Sequence, residues 1–352
     1  MRFVVPAFAF LLLSTVAAPL SAQDKPQDFP VDVAYRERVI DGVSDKLAAG
    51  YFDADVANKI AQQLKKRSNR AVYDTCTTAA ALSAALTHDL RDWSHDRHLQ
   101  VVFSAEPRPM PKTSENAMSS FDLQSPQRNF GFYALTRFTG NVGYIELGRF
   151  DPAALAGPTL QAVMQFVANT DALIIDLRQN GGGHADMVAL ITSYFLPEQT
   201  KLATLERRDK AASNQIWSAS YVPGPKYLDK PVFILTSPRT FSAAEGLTYD
   251  LKYFAHATVV GEKTRGGANP GSFEQIDEHF AVFVPTARVI SAATGTNWDA
   301  DGIAPDVAVA AKDASHAALK LALEKLIAEK PSSERARMWK DALADMFGSS
   351  DK

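Results

Sequence analysis

The chain has 352 residues, 46% of them apolar, enough for one large domain with a smaller one beside it. Its 37 basic residues against 40 acidic ones give a net charge of −3, so there is no basic footprint for nucleic acid and that class of partner is excluded. One cysteine, Cys76, allows no intramolecular disulfide; stability has to come from burial, with Cys76 packing as a small apolar side chain.

Residues 1–22 have the form of a secretory signal. Arg2 supplies the positive start, an apolar run follows, and Ser21 and Ala22 are small residues ahead of a cut before Gln23. The run falls short of the ~20 residues that span a bilayer and Pro6 interrupts it, so an exported product, periplasmic or secreted, with no remaining membrane span is expected.

Residues 23–103 are expected to form a small helical domain. Val39, Val43 and Leu47, then Val56, Ile60 and Leu64, then Leu82, Leu86 and Leu90 recur at four-residue steps, the spacing of three amphipathic helices. The stretch ends in strand-like residues 99–103, just after His95, Asp96 and His98. No HExxH or CxxC motif occurs, so neither a metal nor an organic cofactor is expected. Residues 104–128, rich in Pro and Ser without apolar periodicity, are assigned as a linker.

The core, 129–311, changes to strands alternating with helices. Strands are expected at 130–137, 142–147, 172–177, 232–236 and 257–261, with helices at 152–169, 185–195 and after Ser242. Strand character resumes over 280–290, and 312–352 holds closing helices near 313–328 and 333–346. Such repetition implies a mostly parallel sheet covered by helices, an α/β fold.

Two turns in this core carry chemistry. In Thr240-Phe241-Ser242-Ala243-Ala244-Glu245-Gly246 a serine stands between a buried strand and an apolar helix, where unpaired amides favour negative charge. Ser242 is therefore a nucleophile candidate, although serine is also a common helix cap. In Asn180-Gly181-Gly182-Gly183-His184 the glycines bare backbone amides, but neither the phosphate-loop nor the dinucleotide spacing is present. An oxyanion hole formed by Gly182 or Gly183 with Ala243 suits the pattern better.

Four segments occur together and in order: Asp176 to Gly183, Thr240 to Glu245, Val260 to Gly267, and Gly295 to Asp306. Over residues 31–310 they resemble the S41 serine peptidases, the C-terminal processing proteases. The likeness is to the branch that includes the tricorn core and the interphotoreceptor retinoid-binding protein. The resemblance implies a ClpP/crotonase-like spiral core behind the small N-terminal helical bundle, and a peptide or protein substrate. Dyad enzymes of this family carry a lysine where this chain has Gly267, so a lysine base is not available there. The tricorn-like branch uses a histidine from an Asp-x-His motif, which Asp96-Arg97-His98 matches, so His98 is implied as general base. The same comparison puts Asp299 where that branch has a glutamate near the relay, with Asp301 as the fallback. Glu245 is expected behind the nucleophile in a hydrogen-bond network. The rival expectation is a silent site on a protein that holds apolar ligands.

Overall fold

The computed structural model describes residues 28–68, 72–108 and 124–348; the expected signal segment and most of the expected linker lie outside them. Three helices come first. Helix α1 (Val33–Gly50) starts where the Asp32 side chain accepts from the Tyr35 amide at 2.7 Å, and it buries Val39, Val43 and Leu47. Helix α2 (Ala54–Ser68) buries Ile60 and Leu64 against it. Helix α3 (Ala79–Ser94) is capped by Thr78 and ends on His95, whose left-handed φ of 59° turns the chain sharply into strand β1 (Gln100–Phe103).

The core then runs in chain order through β2 (Phe132–Phe138), β3 (Val142–Leu147), α4 (Ala153–Val167), β4 (Ala172–Asp176), α5 (Ala185–Ser193), β5 (Lys201–Arg207) and β6 (Asn214–Trp217). It continues with β7 (Val232–Thr236), α6 (Ala243–Phe254), β8 (Thr258–Gly261), β9 (Gly271–Gln275), β10 (Phe280–Pro285), β11 (Ala287–Ser291), β12 (Val307–Ala308), α7 (Ala314–Glu329) and α8 (Ala336–Phe347).

The main sheet has the order β12-β8-β7-β4-β3-β2, parallel except where β2 joins β3. Its central strands are apolar at successive positions because both faces are covered. Leu173 and Ile175 of β4 pack with α4, α5 and α6, whereas Ala172 and Ile174 pack with α7 and α8; Val232/Ile234 and Phe233/Leu235 of β7 divide the same way. The period of two along a strand thus sorts one apolar run into two cores.

Two smaller sheets stand beside it, β1-β10-β9 and β11-β5-β6, both antiparallel. The expected single strand over 280–290 is two strands, split at Thr286 and shared between these sheets. Strands β5, β6, β9 and β12 were not anticipated from the sequence. The N-terminal helices share one apolar core with Phe280, Val282 and Val284 of β10, which brings the residues before β1 against the main core. Among the described residues no helix is long and apolar enough to cross a membrane.

Candidate active site

The parallel strands β4 and β7 end side by side, and each hands over to a helix through one of the two turns singled out above. Asn180 ties the turns together. Its backbone carbonyl accepts from the Phe241 amide at 3.1 Å, its Nδ2 donates to the Leu147 carbonyl at 2.9 Å, and its Oδ1 accepts from the Gly182 amide at 2.8 Å. Gly182 (φ 108°) packs so tightly that a Cβ there would stand 2.9 Å from the Ser242 Cβ and 3.1 Å from the Ala243 nitrogen. The glycine therefore serves close approach as well as an unusual φ.

Ser242 sits at φ 57°, ψ −122°, a conformation that costs a non-glycine residue ~1–3 kcal/mol and needs outside support. Glu245, fully buried one turn into α6, gives that support: its Oε2 accepts from the Ser242 amide at 2.8 Å and the Gly267 amide at 2.9 Å. Its Oε1 accepts from the Gly266 amide at 2.7 Å and the Thr264 hydroxyl at 2.5 Å. Burial pushes the Glu245 pKa up, against the four donors that hold it down.

His98 arrives from the other end of the chain. The α3 cap, the Asp96 side chain accepting from the His98 amide at 2.9 Å, and the pairing of β1 with β10 aim its ring into the same cleft. His98 Nε2 lies 3.0 Å from Ser242 Oγ, hydrogen-bond distance for an imidazole and a hydroxyl. The ring is 6% exposed and sandwiched between Phe241 and Phe283, with centroids 4.6 and 5.6 Å away. Burial pulls its pKa down to about 4; Asp299 opposes that shift, while Arg265 and Arg91 add to it.

Behind the imidazole lie two carboxylates. Asp96 Oδ1 is 3.9 Å from His98 Nδ1, and Asp299 has an oxygen within 4.8 Å of both. Neither is hydrogen-bonded to Nδ1, which has no hydrogen-bond partner among the described residues. Asp299 is held by the Ala268 amide and the Asn269 side chain, both at 2.9 Å, and Asn269 also reaches Asp96 at 3.1 Å. Tyr51 Oη donates to the same Asp96 oxygen at 3.1 Å. Burial raises the pKa of both acids, that of Asp299 further through the charge of Asp96. Asp96, His98 and Asp299 are also the one grouping among the described residues compact enough to share a cation. Asn269 already bridges the two carboxylates, and His98 Nε2 is directed at Ser242.

The structure thus brings Ser242, His98 and the Asp299 carboxylate together. For the expected oxyanion hole the two glycines differ. The Gly182 amide donates to Asn180 Oδ1, whereas the Gly183 and Ala243 amides donate to no group among the described hydrogen bonds. Asp301 and His95 are exposed and stand apart from the imidazole's contacts, and His184 occupies the N-cap position of α5. Asp176 and Arg178 pair with one another, with contacts of 2.5–3.0 Å. The sequence reading missed Asn269 and the two phenylalanines on His98. It had Asp96 in view only as part of the Asp-x-His motif. No local pattern marks the other three, since each reaches the site by packing.

The sequence profile of peptidase family S41 matches residues 141–309, and the profile described as the N-terminal domain of Peptidase_S41 in eukaryotic IRBP matches residues 34–132. The chain belongs to peptidase family S41. Among relatives, it is 27% identical over 179 residues to a carboxy-terminal-processing protease of Bartonella bacilliformis, covering 49% of this chain and 40% of that protein. It is 30% identical over 148 residues to the carboxyl-terminal-processing protease of a Synechocystis species, covering 42% of this chain and 33% of that one. The chain therefore aligns with less than half the length of these relatives. A putative peptidase from Parabacteroides merdae superposes with a TM-score of 0.55 at 18% identity, covering 82% of this chain and 96% of that chain. The tricorn protease gives 0.53 at 14%, covering 85% of this chain and 37% of that chain. The fold is the one the sequence implied, a spiral α/β core with a helical N-terminal region.

Proposed function

We propose that the chain is an exported serine peptidase that hydrolyses peptide bonds through Ser242 and His98. The observation that carries this reading is the 3.0 Å approach of His98 Nε2 to Ser242 Oγ in a cleft that also offers two uncommitted amides. With a pKa near 4 the imidazole is unprotonated at neutral pH, so its lone pair is available to the hydroxyl.

As Ser242 Oγ attacks the carbonyl carbon, its proton passes to Nε2, and the carbonyl oxygen becomes an anion facing the Ala243 and Gly183 amides. The imidazolium is stabilised chiefly by the charge of Asp299, which raises the His98 pKa, with Asp96 Oδ1 3.9 Å from Nδ1, in the manner of the third member of a triad. The same proton then goes to the leaving amine, and the C–N bond breaks. Water, deprotonated by His98 in turn, releases the acyl group from Ser242. Gly267 leaves room for the His98 ring where dyad enzymes carry lysine, which supports histidine as the base.

A fluorophosphonate probe tests the assignment. Wild-type protein is expected to be labelled on Ser242, with labelling lost in Ser242→Ala and greatly slowed in His98→Ala while thermal unfolding is unchanged. A folded wild-type protein that resists the probe, or is labelled equally in Ser242→Ala, overturns it. Export is proposed from the composition of residues 1–22 and is tested by sequencing the N-terminus of the mature protein, expected at Gln23.

A further inference from the structure

A cavity lined in part by Ser242, but not by His98, opens beside the cleft. It has a volume of about 120 Å³ and runs between α5, α6 and the β11-β5-β6 sheet. Val188, Leu202, Leu205, Val289 and Trp298 give it apolar walls. From the α6 side the lining residues are the N-cap Ser242 with Ala243 beside it, then Gly246 and Asp250; Ser242, Gly246 and Asp250 are four apart and so on one face of the helix. Gly246 leaves that wall bare: a Cβ there would be 3.5 Å from the Trp298 ring across the cavity.

Asp250 is the one ionisable residue in this lining. It is 8% exposed, and among the described residues it has neither an ion-pair partner nor a hydrogen bond of normal geometry. Its interaction with the Thr192 side chain, which lowers its pKa, falls short of ordinary hydrogen-bond geometry. A carboxyl buried in largely apolar surroundings with only so weak a contact costs several kcal/mol if charged, so such groups stay neutral or find a cation. Burial lifts this one to about 7, so it ionises readily when a positive charge comes near.

We infer that this cavity receives the side chain of the substrate residue whose carbonyl Ser242 attacks, and that Asp250 makes it select a long aliphatic side chain ending in a cation, as in lysine. The inference rests on the peptidase reading and adds the substrate class to it. Its geometry is set by the helix: eight residues separate Ser242 from Asp250, ~12 Å along the axis, a separation suited to an extended side chain. A lysine stem matches the apolar walls and its compact ammonium matches a single carboxylate; the broad guanidinium fork of arginine needs more acceptors than the cavity offers.

Two peptidyl phosphonates, identical except for lysine or norleucine at the position next to the warhead, provide the test, with the rate of Ser242 labelling measured by mass spectrometry. In wild-type protein the lysine probe is expected to label about 10- to 100-fold faster, the worth of one hydrogen bond to a buried charge. In Asp250→Asn, and independently in Asp250→Leu, that preference is expected to vanish or reverse, chiefly through weaker initial binding of the lysine probe, with thermal unfolding measured beside it to show that the fold is kept. Equal rates with the two probes in wild-type protein, or a lysine preference that survives both substitutions, overturn the inference while leaving the peptidase reading intact. Failure of the fluorophosphonate to reach Ser242 overturns the peptidase reading, and the pocket assignment falls with it.

Discussion

Gly267 is a position at which added volume acts directly on the imidazole. Its φ is one that any residue adopts, so a Gly267→Ala substitution introduces no backbone strain and acts by volume alone. The new Cβ would stand 2.2 Å from Phe241 Cε2 and 2.7 Å from His98 Cε1, where ordinary contact begins at 3.4 Å. Relief requires the Phe241 ring to move by about 1.2 Å and the imidazole by about 0.7 Å, or the 266–268 segment to retreat from both. Retreat is opposed, because the Gly266 and Gly267 amides are fixed on Glu245, the residue that also supports Ser242.

The added methyl is thus transmitted to the 3.0 Å contact between Nε2 and Oγ. A displacement near 1 Å at a reacting pair costs on the order of 10²-fold in rate, which is about 3 kcal/mol of transition-state stabilisation. Overpacking costs ~1–3 kcal/mol of fold stability, so the protein is expected to stay folded. The second-order rate of fluorophosphonate labelling, measured beside thermal unfolding, separates the two effects. A labelling rate within twofold of wild type would refute the placement of the imidazole against Gly267. A labelling loss explained wholly by unfolding would refute the argument from volume.

The remaining predictions concern charge. Because the unprotonated imidazole is the active form and burial holds its pKa near 4, labelling is expected to stay flat from neutral pH down to about 5. It should then decline about tenfold per unit below 4; a midpoint near 6.5 would contradict the buried ring. Asp299 raises the His98 pKa, so Asp299→Asn is expected to move this midpoint lower still and to slow labelling at every pH; an upward shift would show that the carboxylate does not act on the ring. Glu245→Gln replaces acceptor capacity by an NH₂ group facing amide donors, and is expected to lower stability by ~2–4 kcal/mol in urea unfolding. An unchanged urea midpoint would mean those amides find other partners.

The legible parts of the fold were those whose neighbours in sequence are also their neighbours in space. Strands β3, β4 and β7 announced themselves as apolar runs because both faces are buried, and α1 to α3 because each buries one stripe. Strand β9, Gly271–Gln275, is half to fully exposed, and β5 mixes charge with apolar residues on a partly covered face, so neither pattern stood out. The break at Thr286 did carry a local mark, Pro285, which cannot donate to a ladder, but the proline was not read as a division between two strands that part company toward different sheets. The two turns at the ends of β4 and β7 were readable from serine and glycine placement. His98 was not, and only the resemblance singled it out from His95, three residues earlier in the sequence and exposed.

That difference between serine and histidine reflects how each is held. Ser242 is fixed by its own helix, by Glu245 three residues on, and by Asn180 through the neighbouring turn. His98 depends on the register of β1 against β10, in which Gln100 faces Phe283 and Val101 faces Val282. A slip of one residue would turn Phe283 away from the imidazole and expose Val282, which is buried in the same core as Leu47, Ile60 and Leu86. On the proposed mechanism the three-helix core therefore acts on the chemistry at a distance: by burying Phe280, Val282 and Val284 it sets the register, and the register sets where the proposed base stands. The helical segment is, on this argument, a structural requirement for a competent nucleophile, since without it the core would keep its serine elbow and lose the imidazole that activates it.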